Sequence, residues 1–244
     1  MRGRAHALRI ESQPAYVLHR RAWRESSALL EVFSAEFGRV GLVVRGLRGA
    51  RSQSWQAMLQ PMQAVVLSWS GSGELPLVTQ VEPAETRLDL RGEAVLAGLY
   101  LNELMLALLP RYEANLELFV RYGECLRQQL ASDASHRAWH LRLFERDLLS
   151  AIGFPLPLNG DGVSGELRVA ASYIYVADQG CLIECDPTDR QAIAGEVLIA
   201  LRDSRQPEVS AVAACRRWLR DVLSPHLGNR ELHAWSLMHE IRRL

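Results

Sequence analysis

The sequence predicts an α+β protein in two parts, a small five-stranded β-barrel followed by an α-helical domain that carries a β-hairpin. Three observations predict it. Strand signals run through the first 82 positions, with clear apolar alternation at residues 39–45, and the period becomes helical from Gly92 onward. With 244 residues, 48% of them hydrophobic and 23% charged, the chain is long and apolar enough to bury a real core. Charge divides along the chain as well. Residues 1–60 hold ten arginines against four acids, residues 61–200 ten against nineteen, and residues 201–244 eight against five, so the net charge of zero is the sum of +6, −9 and +3. A basic N-terminal unit joined to an acidic body points to an anionic partner.

Residues 14–23, rich in Tyr, Val and Leu, open the strand series, and residues 28–34 follow. Glu36-Phe37-Gly38 turns the chain into a third strand at 39–45, where Val40, Leu42 and Val44 alternate with Gly41, Val43 and Arg45. One face of that strand is expected in the core and the other at a charged surface. Residues 62–69 and 75–81 supply the last two strands, and Ser70-Gly71-Ser72-Gly73 between them is hairpin chemistry. Five short strands with an interruption between the third and the fourth suit a closed barrel of the OB type, assigned to residues 1–82.

Residues 83–244 form the helical domain. Residues 94–109 are apolar nearly all round and stop at Pro110, which predicts a buried helix; Asn102 and Glu103 interrupt it, and it is too short to span a bilayer. Asn115 caps a second helix running to about residue 131, and a third starts near Ser135 and ends at Gly153 and Pro155. Residues 156–187 read as a loop and hairpin insertion, with strands at 173–177 and 181–184 around Asp178-Gln179-Gly180. Three more helices are expected to begin near Thr188, Glu208 and Glu231. The opening residues contain no apolar run of signal-peptide length, and four cysteines in a chain this long do not make a disulfide framework. A cytoplasmic protein is expected.

All 28 basic residues are arginine. Without a lysine amine, a Walker A phosphate loop, a Schiff base and a pyridoxal site are close to excluded. Gly160-Asp161-Gly162-Val163-Ser164-Gly165 has the spelling of a dinucleotide loop, but it precedes a strand pattern where the pyrophosphate would need a helix N-terminus. Cys181 and Cys185 could form half a zinc site, yet no second pair stands nearby, and Cys215 and His226 are the only later candidates. His136 and His140 share a helix face as in a zinc protease, with Arg137 where the general base would stand. Neither Ser72 nor Ser164 has the glycine offsets of a nucleophile elbow.

The basic N-terminal unit is the strongest functional signal. Arg20, Arg21 and Arg24 follow the first strand, and Arg39, Arg45, Arg48 and Arg51 run along and beyond the third. Guanidinium groups spaced by small residues can follow a phosphate chain, and Tyr16, Trp23, Phe33, Phe37 and Trp55 offer stacking platforms. These features favour nucleic acid. The alternatives are a metal-dependent hydrolase using His136, His140 or the Cys181 region, and a helical scaffold whose barrel binds protein.

The sequence resembles the RecO family of recombination mediators nearly end to end. The likeness rests on Pro14-Ala15-Tyr16-Val17-Leu18-His19, on Phe37-Gly38-Arg39-Val40-Gly41 with the run to Gly46, and on Leu59-Gln60-Pro61-Met62. It continues through Tyr100-Leu101-Asn102-Glu103-Leu104, Asn115-Leu116-Glu117-Leu118-Phe119, Leu141-Arg142-Leu143-Phe144-Glu145 and Gly153-Phe154-Pro155, and ends at His226-Leu227-Gly228-Asn229-Arg230-Glu231-Leu232. The resemblance implies an OB-fold before a helical domain, no enzymatic active site and no cofactor. It implies a DNA repair and recombination protein, cytoplasmic and nucleoid-associated, that binds single- and double-stranded DNA and anneals complementary strands. It also implies loading of the recombinase RecA onto coated single strands, with RecR and the acidic C-terminal tail of single-strand DNA-binding protein (SSB) as partners. For that tail, Arg121, Arg127, Arg142 and Arg146 are expected to make a local cationic spot beside Phe144 and Leu148, the alternative being that the same arginines pair with Glu145, Asp147 or Glu124 on their own helices. Zinc-bearing members of the family use two Cys pairs after the segment matching 148–155; here the first pair is absent, and no metal is expected.

Overall fold

The computed structural model describes residues 9–47, 50–71, 73–84, 88–129, 133–160, 165–228, 230 and 232–234, except for the side chains of residues 50–52. The chain divides into two compact units, Met1–Val120 with Leu232–Leu244, and Arg121–Glu231. The units therefore do not part where strands give way to helices.

In the first unit, β1 (Arg9–Trp23), β2 (Ser27–Ser34) and β3 (Gly38–Val44) are followed by α1 (Ala50–Met58), then by β4 (Ala64–Ser70) and β5 (Leu77–Pro83). The strands are ordered β1-β2-β3-β5-β4, and β4 pairs back onto β1. This is OB-fold-like. Its seam is narrow, because β3 and β5 meet in one parallel pair, Val43 with Leu77, backed by the Val43 N–H donating to the Pro76 carbonyl at 2.8 Å. Val17, Leu30, Val32, Val40, Leu42, Val44, Val65 and Leu67 point into the core, as strand alternation requires. Trp55 and Met58 of α1 pack on this cluster.

α2 (Glu93–Leu108) and the first turns of α3 (Leu116–Gln128) complete the unit. The register of β1 on β2 shifts between Val17 and His19, which takes the Leu18 carbonyl out of the ladder. Asn102, buried on α2, donates its Nδ2 to that carbonyl at 2.7 Å. The polar residue inside an apolar helix thus satisfies a strand irregularity. Its neighbour Glu103 accepts the Ala234 N–H at 2.9 Å. On the outer face Tyr16 and Phe33 meet Phe119, with ring centroids 5.0 and 5.8 Å apart.

The second unit holds the rest of α3, α4 (Ala134–Ala151), the sheet β7-β6-β8 and two further helices. The strands are β6 (Ser172–Val176), β7 (Cys181–Cys185) and β8 (Ile193–Ala194), and the helices are α5 (Gly195–Arg202) and α6 (Val209–Leu227). Trp139, Phe144 and Leu148 of α4 and Leu219 and Leu223 of α6 are buried. Asn115 caps α3 through the Leu118 N–H at 2.8 Å, and Asp133 caps α4 through the N–H groups of Ser135 and His136.

Several boundaries differ from the sequence expectation. No helix begins at Thr188; Asp186 folds that segment into a turn by accepting the Thr188 N–H at 2.8 Å, and α5 starts at Gly195. A Cβ at Gly195 would lie 2.0 Å from the Arg168 carbonyl oxygen, so the close approach of two backbones fixes the start of α5. The interruption after β3 is a helix, and Met62 sits in a left-handed turn before β4, with φ 69°. Of the helix expected near Glu231, His233 and Ala234 are helical, while residues 231 and 235–244 lie outside the described residues. Among the described residues no helix is long and apolar enough to cross a membrane.

Candidate nucleic-acid interface

The β1–β2 hairpin ends in a short tip, with Arg20 opposite Leu30, Arg21 opposite Leu29 and Trp23 opposite Ser27. Arg24 turns the chain with φ 53°. The Ser26 carbonyl accepts the Leu47 N–H at 2.8 Å, which draws the end of β3 to the hairpin tip. Gln56 of α1 donates to the Leu47 carbonyl at 2.7 Å and accepts, through its own carbonyl, the Arg20 Nη1 at 3.2 Å. These bonds gather Arg20, Arg21, Trp23, Arg24 and Arg45 at one end of the sheet. Trp23 is 40% exposed, and the Arg24 guanidinium carbon stands 5.9 Å from its ring centroid. Arg21, Arg24 and Arg45 are exposed and make no ion pair among the described residues. An open indole with one guanidinium group beside it and others at the same end of the sheet can stack on a base while the cations meet phosphates.

Arg39 is a different kind of residue from the one expected. Its Nη1 donates to the carbonyls of Leu106 and Leu109 at 2.6 and 2.8 Å, and its Nε lies 3.3 Å from Glu31 Oε2. It therefore holds the C-terminal end of α2 against β3, a favourable place for a cation near orphan carbonyls. Arg111 pairs with the same Glu31 and lies over Gly41, where a Cβ would come within 3.0 Å of its Nη2. The outer face of β2 and β3 is thus covered, and the hairpin end is the open part. Arg48 lies outside the described residues, and so does the side chain of Arg51, whose backbone belongs to α1. Of the five candidate stacking rings, Tyr16 and Phe33 are buried, Phe37 packs edge-on against Trp69, Trp55 packs on the core, and Trp23 is exposed.

In the helical unit the expected cationic spot does not assemble. Arg142 is 5% exposed and its Nη2 lies 2.5 Å from the buried Glu145 carboxylate, so it is an interior ion pair. Arg146 donates to the Leu201 carbonyl at 2.5 Å and pairs with Asp147 at 2.7 Å, closing the end of α5. Arg121, paired with Glu124 at 3.1 Å, and Arg127 stay at the surface. The thiols of Cys125 and Cys215 are pushed up by burial, Cys215 to about 12.

The remaining sequence candidates separate cleanly. Cys181 and Cys185 occupy opposite ends of β7, roughly 13 Å apart along an extended chain, too far to share one ion. Residues 161–164 of the glycine-rich string lie outside the described residues, and the next regular element is β6. His136 and His140 contact each other, and His136 also meets two glutamine amides; among the described residues no carboxylate hydrogen-bonds to either ring.

Two family profiles match the chain, Recombination protein O N terminal over residues 8–87 and Recombination protein O C terminal over residues 90–235. The chain is 41% identical over 238 residues to the DNA repair protein RecO of Xanthomonas campestris pv. campestris (strain B100), covering 96% of this chain and 98% of that one. It is 40% identical over 237 residues to the DNA repair protein RecO of Xylella fastidiosa (strain M12), covering 96% and 97%.

Proposed function

Because the chain belongs to the recombination protein O family, we propose that it serves DNA repair and homologous recombination as a mediator without an enzymatic active site. In this reading it binds single- and double-stranded DNA and anneals complementary strands. With RecR, it helps to load RecA onto single strands coated by SSB. The observation that carries the DNA part is the end of the sheet where Trp23 stands open beside Arg21, Arg24 and Arg45. The loop between the first two strands is a usual oligonucleotide contact of OB-folds.

The chemistry needs no cofactor. Guanidinium groups displace condensed counterions from phosphates, which lowers the repulsion between two strands. An indole that takes up a base keeps it unpaired until the complement arrives. An acidic tail such as that of SSB would reach the exposed Arg121 and Arg127 only by exchanging partners they already have, Glu124 and Asp147 in the case of Arg121, since Arg142 is buried and Arg146 is engaged at α5. The test is anisotropy of a labelled single strand titrated with the full chain at several salt concentrations, together with the rate of pairing of complementary strands. Binding that weakens linearly with the logarithm of salt, and faster pairing, are expected. Salt-independent binding or an unchanged pairing rate would contradict the reading.

A further inference from the structure

The helical unit carries a cluster that the proposed function does not use. His136 and His140 stand one turn apart on α4, so both rings leave the same face. Their centroids are 4.5 Å apart and their Nε2 atoms 3.1 Å apart. α3 brings Gln128 to the same point, with Oε1 3.0 Å from His136 Nε2. On the other side of the ring Gln206 Oε1 lies 3.0 Å from His136 Nδ1. An amide oxygen can only accept, so Gln206 calls for a proton on Nδ1, while Nε2 faces two further acceptors, the Gln128 oxygen and His140 Nε2, an arrangement that a cation among the three atoms would hold together.

We infer that His136 and His140 chelate one divalent transition-metal ion through their Nε2 atoms, with Gln128 Oε1 as an oxygen donor. Bonds of about 2.0–2.1 Å to donors 3.1 Å apart open an angle of roughly 100° at the ion, within the range of tetrahedral and octahedral sites. Two imidazoles and one amide oxygen select zinc, nickel or copper(II) over magnesium and calcium, which take oxygen ligands. Gln206 acts behind the first ligand, fixing its tautomer as acceptors behind metal-bound histidines do. All four donor-bearing side chains are at least partly exposed, so an ion has a path from solvent, and water would fill the open positions. Bound there, the ion ties α3 to α4.

The same spacing would arise if one proton were shared between the two Nε2 atoms, and the experiment separates the two arrangements. The full chain, labelled with ¹⁵N, is titrated with zinc while the imidazole nitrogen signals are followed. The Nε2 signals of His136 and His140 are expected to move together and to saturate at one ion. Calorimetry on His136→Gln and His140→Gln should give zinc affinity at least about tenfold weaker than the unchanged chain. Zinc that moves neither ring in the unchanged protein overturns the site whatever the variants do. Zinc affinity that is unchanged in both variants overturns it as well, and assigns the binding to other groups.

Discussion

The arginines at the hairpin end and those of α4 look alike in sequence and do opposite things. Arg21, Arg24 and Arg45 leave turns and strand ends, keep their hydration and have no anionic partner among the described residues. Arg142 and Arg146 are committed, one to the buried Glu145 and the other to Asp147 and the last carbonyls of α5. A guanidinium removed from water must be paired and hydrogen-bonded, whereas one left in water remains available to a ligand. Counting arginines therefore measures charge, and position in the fold decides whether that charge can be used.

The largest expected effect breaks the buried member of the comparison. Arg142→Glu sets two carboxylates together in the interior and should cost about 3–5 kcal/mol, read in denaturant or thermal unfolding. Arg21→Glu at the exposed hairpin should change stability by no more than about 0.5 kcal/mol. Equal losses in the two variants would erase the distinction. Next in size is Asn102→Leu, which leaves the Leu18 carbonyl without its donor and should cost about 1–3 kcal/mol by the same measurement.

Trp23→Ala probes the open region. Loss of one stacking platform should weaken single-strand binding by about 1–3 kcal/mol and leave the unfolding midpoint in place. The pH profile samples the buried region again. Burial holds the Cys125 and Cys215 thiols protonated in the folded state above pH 9, where the unfolded chain releases those protons. Stability should therefore fall as pH rises past 9, by up to about 1.4 kcal/mol per pH unit for each thiol. Cys125→Ala and Cys215→Ala should flatten that limb.

Much of the fold is legible in the sequence because its signals are local. Alternation places Val40, Leu42 and Val44 in the core, and Asn115 marks a helix start by its own side chain. α1 escapes notice because its stretch contains Arg51, Ser52 and Ser54, and among its described side chains only Trp55 and Met58 pack on the core. α5 is misplaced because Asp186 and Thr188 look like a cap and make a turn instead. The site is legible only in its residue types. Arg39 is claimed by carbonyls of Leu106 and Leu109, far along the chain, and no local pattern announces that. For Arg142 a signal is present, since Trp139, Glu145 and Leu149 at helical spacing are also buried. The His136 and His140 pair is visible in sequence, but Gln128 and Gln206 come from other segments.

The most direct test compares the unchanged chain with a triple variant, Arg21→Ala, Arg24→Ala and Arg45→Ala, in a salt titration of single-strand binding. Each lost phosphate contact should remove about 0.7 from the slope of log affinity against log salt, so the variant should lose about 2 while keeping its unfolding midpoint. A folded triple variant that binds with the original slope would contradict the assignment of DNA to this end of the sheet.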